Sequence, residues 1–144
     1  LIHGSRGLIY FAHEFAPKFN EHALLDDQEM LTAVTATNRQ IQTLAPILNS
    51  PTLESVVSVR SSSPQTPIDA LAKQQGNSTY VFAVGMRNGS AQATFTLRKP
   101  SKGTHVEVLG ETRTLPIANG QFTDDFKPYA VHLYRIVPGA TPAP

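Results

Sequence analysis

The sequence contains no cysteine and no tryptophan among its 144 residues. Without cysteine the protein forms neither disulfide bonds nor cysteine-ligated zinc sites. Without tryptophan, any aromatic surface that stacks on a ligand must be built from phenylalanine or tyrosine. We therefore expect no disulfide framework, and we predict neither a metal ion nor another cofactor.

An excess of charge of one sign is also missing, since 12 basic residues balance 11 acidic ones and the net charge is +1. Phosphate binding needs a basic surface, so nucleic acid is not a predicted partner. No apolar run approaches the roughly 20 residues that cross a bilayer, and a membrane is not a predicted partner either. The chain begins at Leu1 rather than at Met, which is typical of a mature form, an excised domain or an incomplete reading frame.

The first 50 residues differ in pattern from the rest. Residues 7–12 form a short, continuous apolar run of the kind found in strands that are buried on both faces. After a polar loop, Asp26 and Glu29 have the spacing of a capping box and predict the start of a helix. Apolar residues at helical spacing continue to Leu48, with Pro46 near the end, and Pro51 then favours a stop.

From residue 51 onward the apolar residues alternate with polar ones, and turn residues recur about every 8–12 positions. This spacing predicts an antiparallel β-sandwich of about seven to eight strands over residues 51–138, followed by a flexible tail at 139–144. The predicted strands lie at 55–60, 69–75, 79–86, 91–98, 105–109, 113–117, 121–123 and 129–137. The alternation places the following side chains in the core: Val81 or Phe82, Phe95, Leu97, Val106, Val108, Phe122, Leu133 and Ile136.

Three stretches carry a family resemblance. Residues 2–11 (IHGSRGLIYF) and 38–50 (NRQIQTLAPILNS) resemble the last strand and the closing helix of a (β/α)8 barrel in clan A-like glycoside hydrolases. Residues 106–113, 122–126 and 131–136 are similar to the small C-terminal β-sandwich of such enzymes. The resemblance implies a mainly β fold in which a strand–loop–helix remnant of the barrel (residues 1–50) precedes the sandwich.

A complete barrel needs about 250 residues, and only about 50 precede the predicted sandwich here. The catalytic carboxylates of that clan lie on the fourth and seventh strands, so the resemblance transfers no catalytic residue to this chain. It implies a fragment or accessory domain of a glycoside hydrolase that acts on plant-type polysaccharide or oligosaccharide. Secretion or a periplasmic location in a bacterium fits such a role, and a cytoplasmic one stays open.

Glu14 is the sharpest catalytic candidate, with His13 beside it, because it follows the predicted strand at the end where barrel enzymes place their chemistry. Glycosidic cleavage needs two carboxyl groups, and Glu14 would supply one in a small stand-alone glycosidase. The plainer interpretation is a carboxylate on the rim of the loop. The histidines at positions 3, 13 and 22 lack the spacing of a helix-borne zinc site.

Sugars stack their C–H faces on aromatic rings, and Tyr10, Tyr129 and Tyr134 are the candidates for binding substrate. Tyr129 and Tyr134 are expected on the surface because of their polar tips. A chain that bound polysaccharide through them would be a non-catalytic carbohydrate-binding module, which is a second alternative function. Asp124 and Asp125 suggest either a calcium ligand pair or, as we favour, a solvated turn in which Asp124 accepts backbone N–H groups.

A barrel strand and helix without their neighbours would expose apolar residues such as Leu8, Tyr10, Met30 and Leu44. We therefore expect either a homo-oligomer formed through this segment or repacking of the helix against the sandwich.

Overall fold

The computed structural model describes residues 2–5, 7–98 and 103–138, and the chain divides into two compact units, His3–Leu48 and the part from Asn49 onward. The predicted tail at 139–144 lies outside the described residues. The elements, in chain order, are α1 (Ala23–Asp26), α2 (Gln28–Leu48), β1 (Val57–Ser61), β2 (Ile68–Gln75), β3 (Ser78–Gly85), β4 (Ala91–Leu97), β5 (Gly103–Val108), β6 (Arg113–Pro116), β7 (Gln121–Phe126) and β8 (Val131–Pro138).

The apolar run at residues 7–12 does not form the strand that its composition predicts. The backbone groups of a parallel strand need a neighbouring strand, and the described part of the first unit offers only the bridge between Glu14 and Asn20. The run has no regular secondary structure and is largely exposed, with Ile9 completely accessible and Phe11 74% exposed. The prediction of a strand is therefore wrong for this chain taken by itself.

The long helix α2 begins one residue later than predicted. The carboxylate of Asp27 accepts the backbone N–H of Met30 at 2.9 Å, so Asp27 caps the helix instead of Asp26. Asp26 ends α1 and accepts a hydrogen bond from the Asn20 side chain at 2.8 Å. The helix ends at Leu48 as predicted, with Pro46 inside its last turn.

The second unit is the predicted antiparallel sandwich, with eight strands in two sheets. One sheet has the order β1-β4-β7 and the other the order β2-β3-β8-β5-β6. Gly76 and Gly120 have positive φ angles of 56° and 73° in two of the predicted turns, where a left-handed backbone favours glycine. Strand β7 is longer than predicted, because the inward alternation continues through Asp124 to Phe126.

The core lies between the two sheets and holds the predicted residues, apart from Leu133, which is half-buried. Phe95 and Phe122 are register partners on β4 and β7, and their rings stack at 4.6 Å. Tyr134 on β8 meets both rings edge-on at 5.2 Å. The two sheets are thus joined by aromatic contacts in geometries that add to the free energy of burial.

Gly89, in the turn between β3 and β4, packs against Thr66. A Cβ atom at Gly89 would lie 2.2 Å from the Thr66 methyl carbon, so one of the two segments must move. We expect Gly89→Ala to lower the free energy of unfolding by about 1–3 kcal/mol in urea titrations. The control is Gly7→Ala, whose new methyl group meets no atom within 4 Å and should cost little. Equal losses in the two variants would contradict this packing.

Candidate functional site

The two catalytic candidates lie in the loop that follows the apolar run at residues 7–12. Glu14 is exposed, and its backbone pairs with that of Asn20 at 3.0 and 2.9 Å. The ring of His13 lies 5.3 Å from that of Phe11 and 5.9 Å from that of Phe19. Within the described residues the structure brings no second carboxylate into a hydrogen bond with Glu14, so both candidates stay predictions.

The three tyrosines that were candidates for binding substrate have three different environments. Tyr10 belongs to the first unit and donates a hydrogen bond to the Asn38 side chain at 3.1 Å. Tyr129 lies in the turn between β7 and β8, with its side chain 62% exposed. Tyr134 is completely buried between the sheets, so the expectation that it lies on the surface is wrong. A ring without accessible surface cannot stack on a sugar.

Asp124 is a buried ion-pair partner rather than part of a solvated turn. Its two carboxylate oxygens accept hydrogen bonds from the guanidinium of Arg113 at 2.7 and 2.8 Å. The hydroxyl of Tyr134 donates to the same carboxylate at 2.8 Å. The backbone N–H of Asp125 adds a fourth bond at 2.9 Å, which is the one contact of the expected kind.

The contacts continue from Arg113 towards the surface. Its guanidinium also donates to Glu111 at 2.8 and 2.9 Å, and the other oxygen of Glu111 contacts Nδ1 of His132. We call these five side chains the sheet-bridging network: Glu111, Arg113, Asp124, His132 and Tyr134. Asp124 lies on β7 of the smaller sheet, whereas Arg113 and Tyr134 lie on β6 and β8 of the larger one. The network therefore ties the two sheets together at one side of the core.

The network holds its two carboxylates in the charged form. Burial alone would raise the pKa of Asp124, but the hydrogen bonds from Arg113 and Tyr134 outweigh it and lower that pKa. Burial would likewise raise the pKa of Glu111. The hydrogen bonds with His132 and Arg113 outweigh that effect, so this pKa is also lowered. Burial and the bond to Asp124 raise the pKa of the Tyr134 hydroxyl, which stays a proton donor.

These shifts predict how stability depends on acidity. A carboxyl group whose pKa is lower in the folded state contributes stability above its unfolded pKa and loses it as the pH falls through the folded value. We therefore expect the free energy of unfolding to fall between about pH 5 and pH 2, and to fall less steeply in Asp124→Asn. Urea titrations across this range measure both slopes. Parallel curves for the two proteins would contradict the role of Asp124.

The network is suited to holding structure rather than to chemistry, because all of its charged groups already have partners. Sequence reasoning missed it, although one signal was present. Asp124 lies two positions from both Phe122 and Phe126, and alternation places all three on the same inward face. A charged residue on that face needs a buried cation, and the sequence alone does not indicate which of 12 basic residues supplies it.

No cluster of three or more side chains suited to a metal ion occurs within residues 2–5, 7–98 and 103–138. Over the same residues, neither helix has the length and hydropathy that crossing a bilayer requires.

Comparisons with known proteins show similarity in structure. No family profile matches the sequence, and no curated protein matches it. The fold is similar to that of AmyP, solved as a variant in complex with maltotriose, with a TM-score of 0.56 at 10% identity over 85% of this chain. An α-amylase from Anoxybacillus gives a TM-score of 0.52 at 13% identity over 80% of the chain. Gan42B, a GH42 β-galactosidase, gives 0.38, which is too low to support an argument.

The proteins that this chain matches are much longer than the chain itself. It covers 24% of the AmyP chain and 24% of the Anoxybacillus chain, so this chain spans about a quarter of their length. The matched region lies in the C-terminal part of those chains. The predicted resemblance to the C-terminal part of glycoside hydrolases is therefore confirmed at the level of the fold: a mainly β sandwich that follows a helical segment.

Proposed function

We propose that this chain is the C-terminal part of a glycoside hydrolase: an accessory β-sandwich together with the last segment of a catalytic barrel. The observation that carries the proposal is the extent of the structural match. The residues from Asn49 onward make up two thirds of the chain, so a match over 85% includes part of the first unit. A match to the sandwich alone would cover no more than about two thirds of the chain.

The surface of the first unit supports the same proposal. Large apolar side chains are exposed along it, at Leu8, Ile9, Tyr10, Phe11, Phe15, Phe19, Leu25 and Met30. Apolar surface of this extent is typical of a segment that a partner covers. Under the proposal, the preceding strands and helices of the barrel cover it, and residues 7–12 gain the neighbouring strand that they lack here.

The chemistry of the proposed enzyme belongs to residues outside this chain. Cleavage of a glycosidic bond needs a pair of carboxyl groups on either side of the bond. Glu14 would supply one of these groups only in the alternative function, a small stand-alone glycosidase. Plant-type polysaccharide as the substrate, and secretion or a periplasmic location, remain part of the proposal as expectations.

Hydrolysis assays on the full-length gene product test the proposal. We expect it to release reducing sugar from a panel of malto-, cello- and xylo-oligosaccharides, and the 144-residue chain to release none. Glu14→Gln should leave the rate of the full-length protein within a few-fold, since a general acid or base is worth at least about a hundredfold. Hydrolysis by the short chain that Glu14→Gln abolishes would establish the stand-alone glycosidase instead.

A further inference from the structure

The turn between β7 and β8 has an unexpected residue at its third position. Lys127, Pro128, Tyr129 and Ala130 form the turn, and the backbone N–H of Ala130 donates to the carbonyl of Lys127 at 3.0 Å. Pro at the second position and a positive φ at the third are features of a type II turn, where the third residue is usually Gly or Asn. Here it is Tyr129, with a φ of 56°.

A left-handed backbone at a bulky residue costs about 1–2 kcal/mol relative to glycine. Nothing in the described part of the turn returns that energy through burial, since the Tyr129 side chain is 62% exposed. Backbone strain that persists without a packing reason is more frequent at functional sites. Ser55, Thr112 and Asn119 also have positive φ angles, but none of them carries a ring.

The turn is hydrogen-bonded to the end of β3 and to the turn that follows β3. The backbone N–H of Tyr129 donates to the carbonyl of Arg87 at 3.3 Å, and that of Gly85 donates to the carbonyl of Ala130 at 2.9 Å. The backbone that carries Tyr129 is thus ordered by bonds to a second turn. Backbone that is ordered before binding reduces the conformational entropy that a ligand contact costs.

Neighbours of Tyr129 along the two turns carry groups that suit a sugar. Val131, two residues further on, is 55% exposed and adds apolar surface. The side chains of Arg87 and Lys127, on the two turns, are exposed and carry N–H donors for hydroxyl groups. Nη1 of Arg87 donates to the carbonyl of Met86 at 2.8 Å, and the guanidinium carries further N–H donors.

We propose that Tyr129 is the stacking platform of a saccharide-binding site on the sandwich, with Arg87 and Lys127 as donors to the sugar hydroxyls. The choice of a saccharide as ligand rests on the proposed function, whereas the exposure of Tyr129 and its left-handed, hydrogen-bonded backbone are independent of it. Binding is measured on the 144-residue chain without any hydrolysis, so the two proposals fail separately.

The test is an NMR titration of the labelled chain with maltotriose and, separately, with cellotriose. We expect saturable shifts of the amide signals of Tyr129, Ala130 and Arg87 for at least one trisaccharide, with millimolar affinity. Tyr129→Gly should weaken binding by at least about tenfold and leave the melting temperature equal or higher, because glycine adopts this φ without strain. Tyr129→Phe keeps the ring and should retain binding within about threefold.

Phe15→Ala is the control, since Phe15 is an exposed aromatic residue of the other unit and is not a candidate for binding substrate. It should leave the affinity unchanged. Binding that survives Tyr129→Gly, binding that disappears in Phe15→Ala, or the absence of saturable shifts with both trisaccharides would each overturn the proposal.

Discussion

Replacing Arg113 by Met is expected to lower the free energy of unfolding by about 2–4 kcal/mol. The substitution leaves the carboxylate of Asp124, whose side chain is only 6% exposed, without the cation that pairs with it. An unpaired buried charge costs more than the pair contributes, because the carboxylate has lost its hydration and gains nothing in return. The partial exposure of Arg113 keeps the estimate below the upper limit for fully buried pairs.

Arg135→Met is the matched control for this prediction. Arg135 forms an ion pair of the same length with Glu107, at 2.7 Å, but both side chains are at least a third exposed. An exposed pair contributes less than about 1 kcal/mol, so this variant should lose much less stability. Urea titrations at neutral pH measure both. Equal losses of stability would show that the burial of Asp124 does not increase the cost of removing its partner. The double variant Arg113→Met with Asp124→Asn should recover part of the stability that Arg113→Met loses.

The exposed apolar surface of the first unit predicts that the 144-residue chain associates with itself when it is purified alone. Ile9 and Phe11 are the most exposed of its large apolar residues. Changing both to Asp places two charges where association would bury them, which strongly opposes the contact. We expect light scattering to show a concentration-dependent increase in mass for the unchanged chain and a monomer for the double variant.

Val131→Asp is the control for this measurement. Val131 is also an exposed aliphatic residue, but it lies on the sandwich. It should leave the association unchanged. A monomeric unchanged chain would contradict the assignment of the apolar surface to a partner, and association that persists in the Ile9→Asp, Phe11→Asp variant would place the contact elsewhere.

The sandwich was predictable because local patterns and long-range structure agree along it. Alternation fixes which face of a strand is buried, and the glycine turns fix where each strand ends. Leu133 shows the limit of this reasoning, because it alternates with residues that are buried more deeply and lies on the opposite face of β8. Residues 7–12 show a second limit, because their composition predicts a buried strand, but a strand also needs a paired neighbour and the described residues give it none.

The site was less accessible to sequence reasoning than the fold. The exposure of Tyr129 was expected from its polar tip, but the same argument failed for Tyr134. The hydroxyl of Tyr134 suggested contact with water, and the structure satisfies it with Asp124 instead. The burial of a polar group can be predicted from a sequence only when its hydrogen-bond partner can be identified. The partners here lie on β6, β7 and β8, which come together only in the folded protein.

The most direct test of the proposed origin of this chain is the coding sequence upstream of Leu1. The account predicts an open reading frame of roughly 200 or more further residues with alternating strand and helix patterns, as a barrel requires. Within it, carboxylates should follow the fourth and the seventh strand. A stop codon, a start codon at Leu1 or an unrelated domain directly upstream would contradict the account.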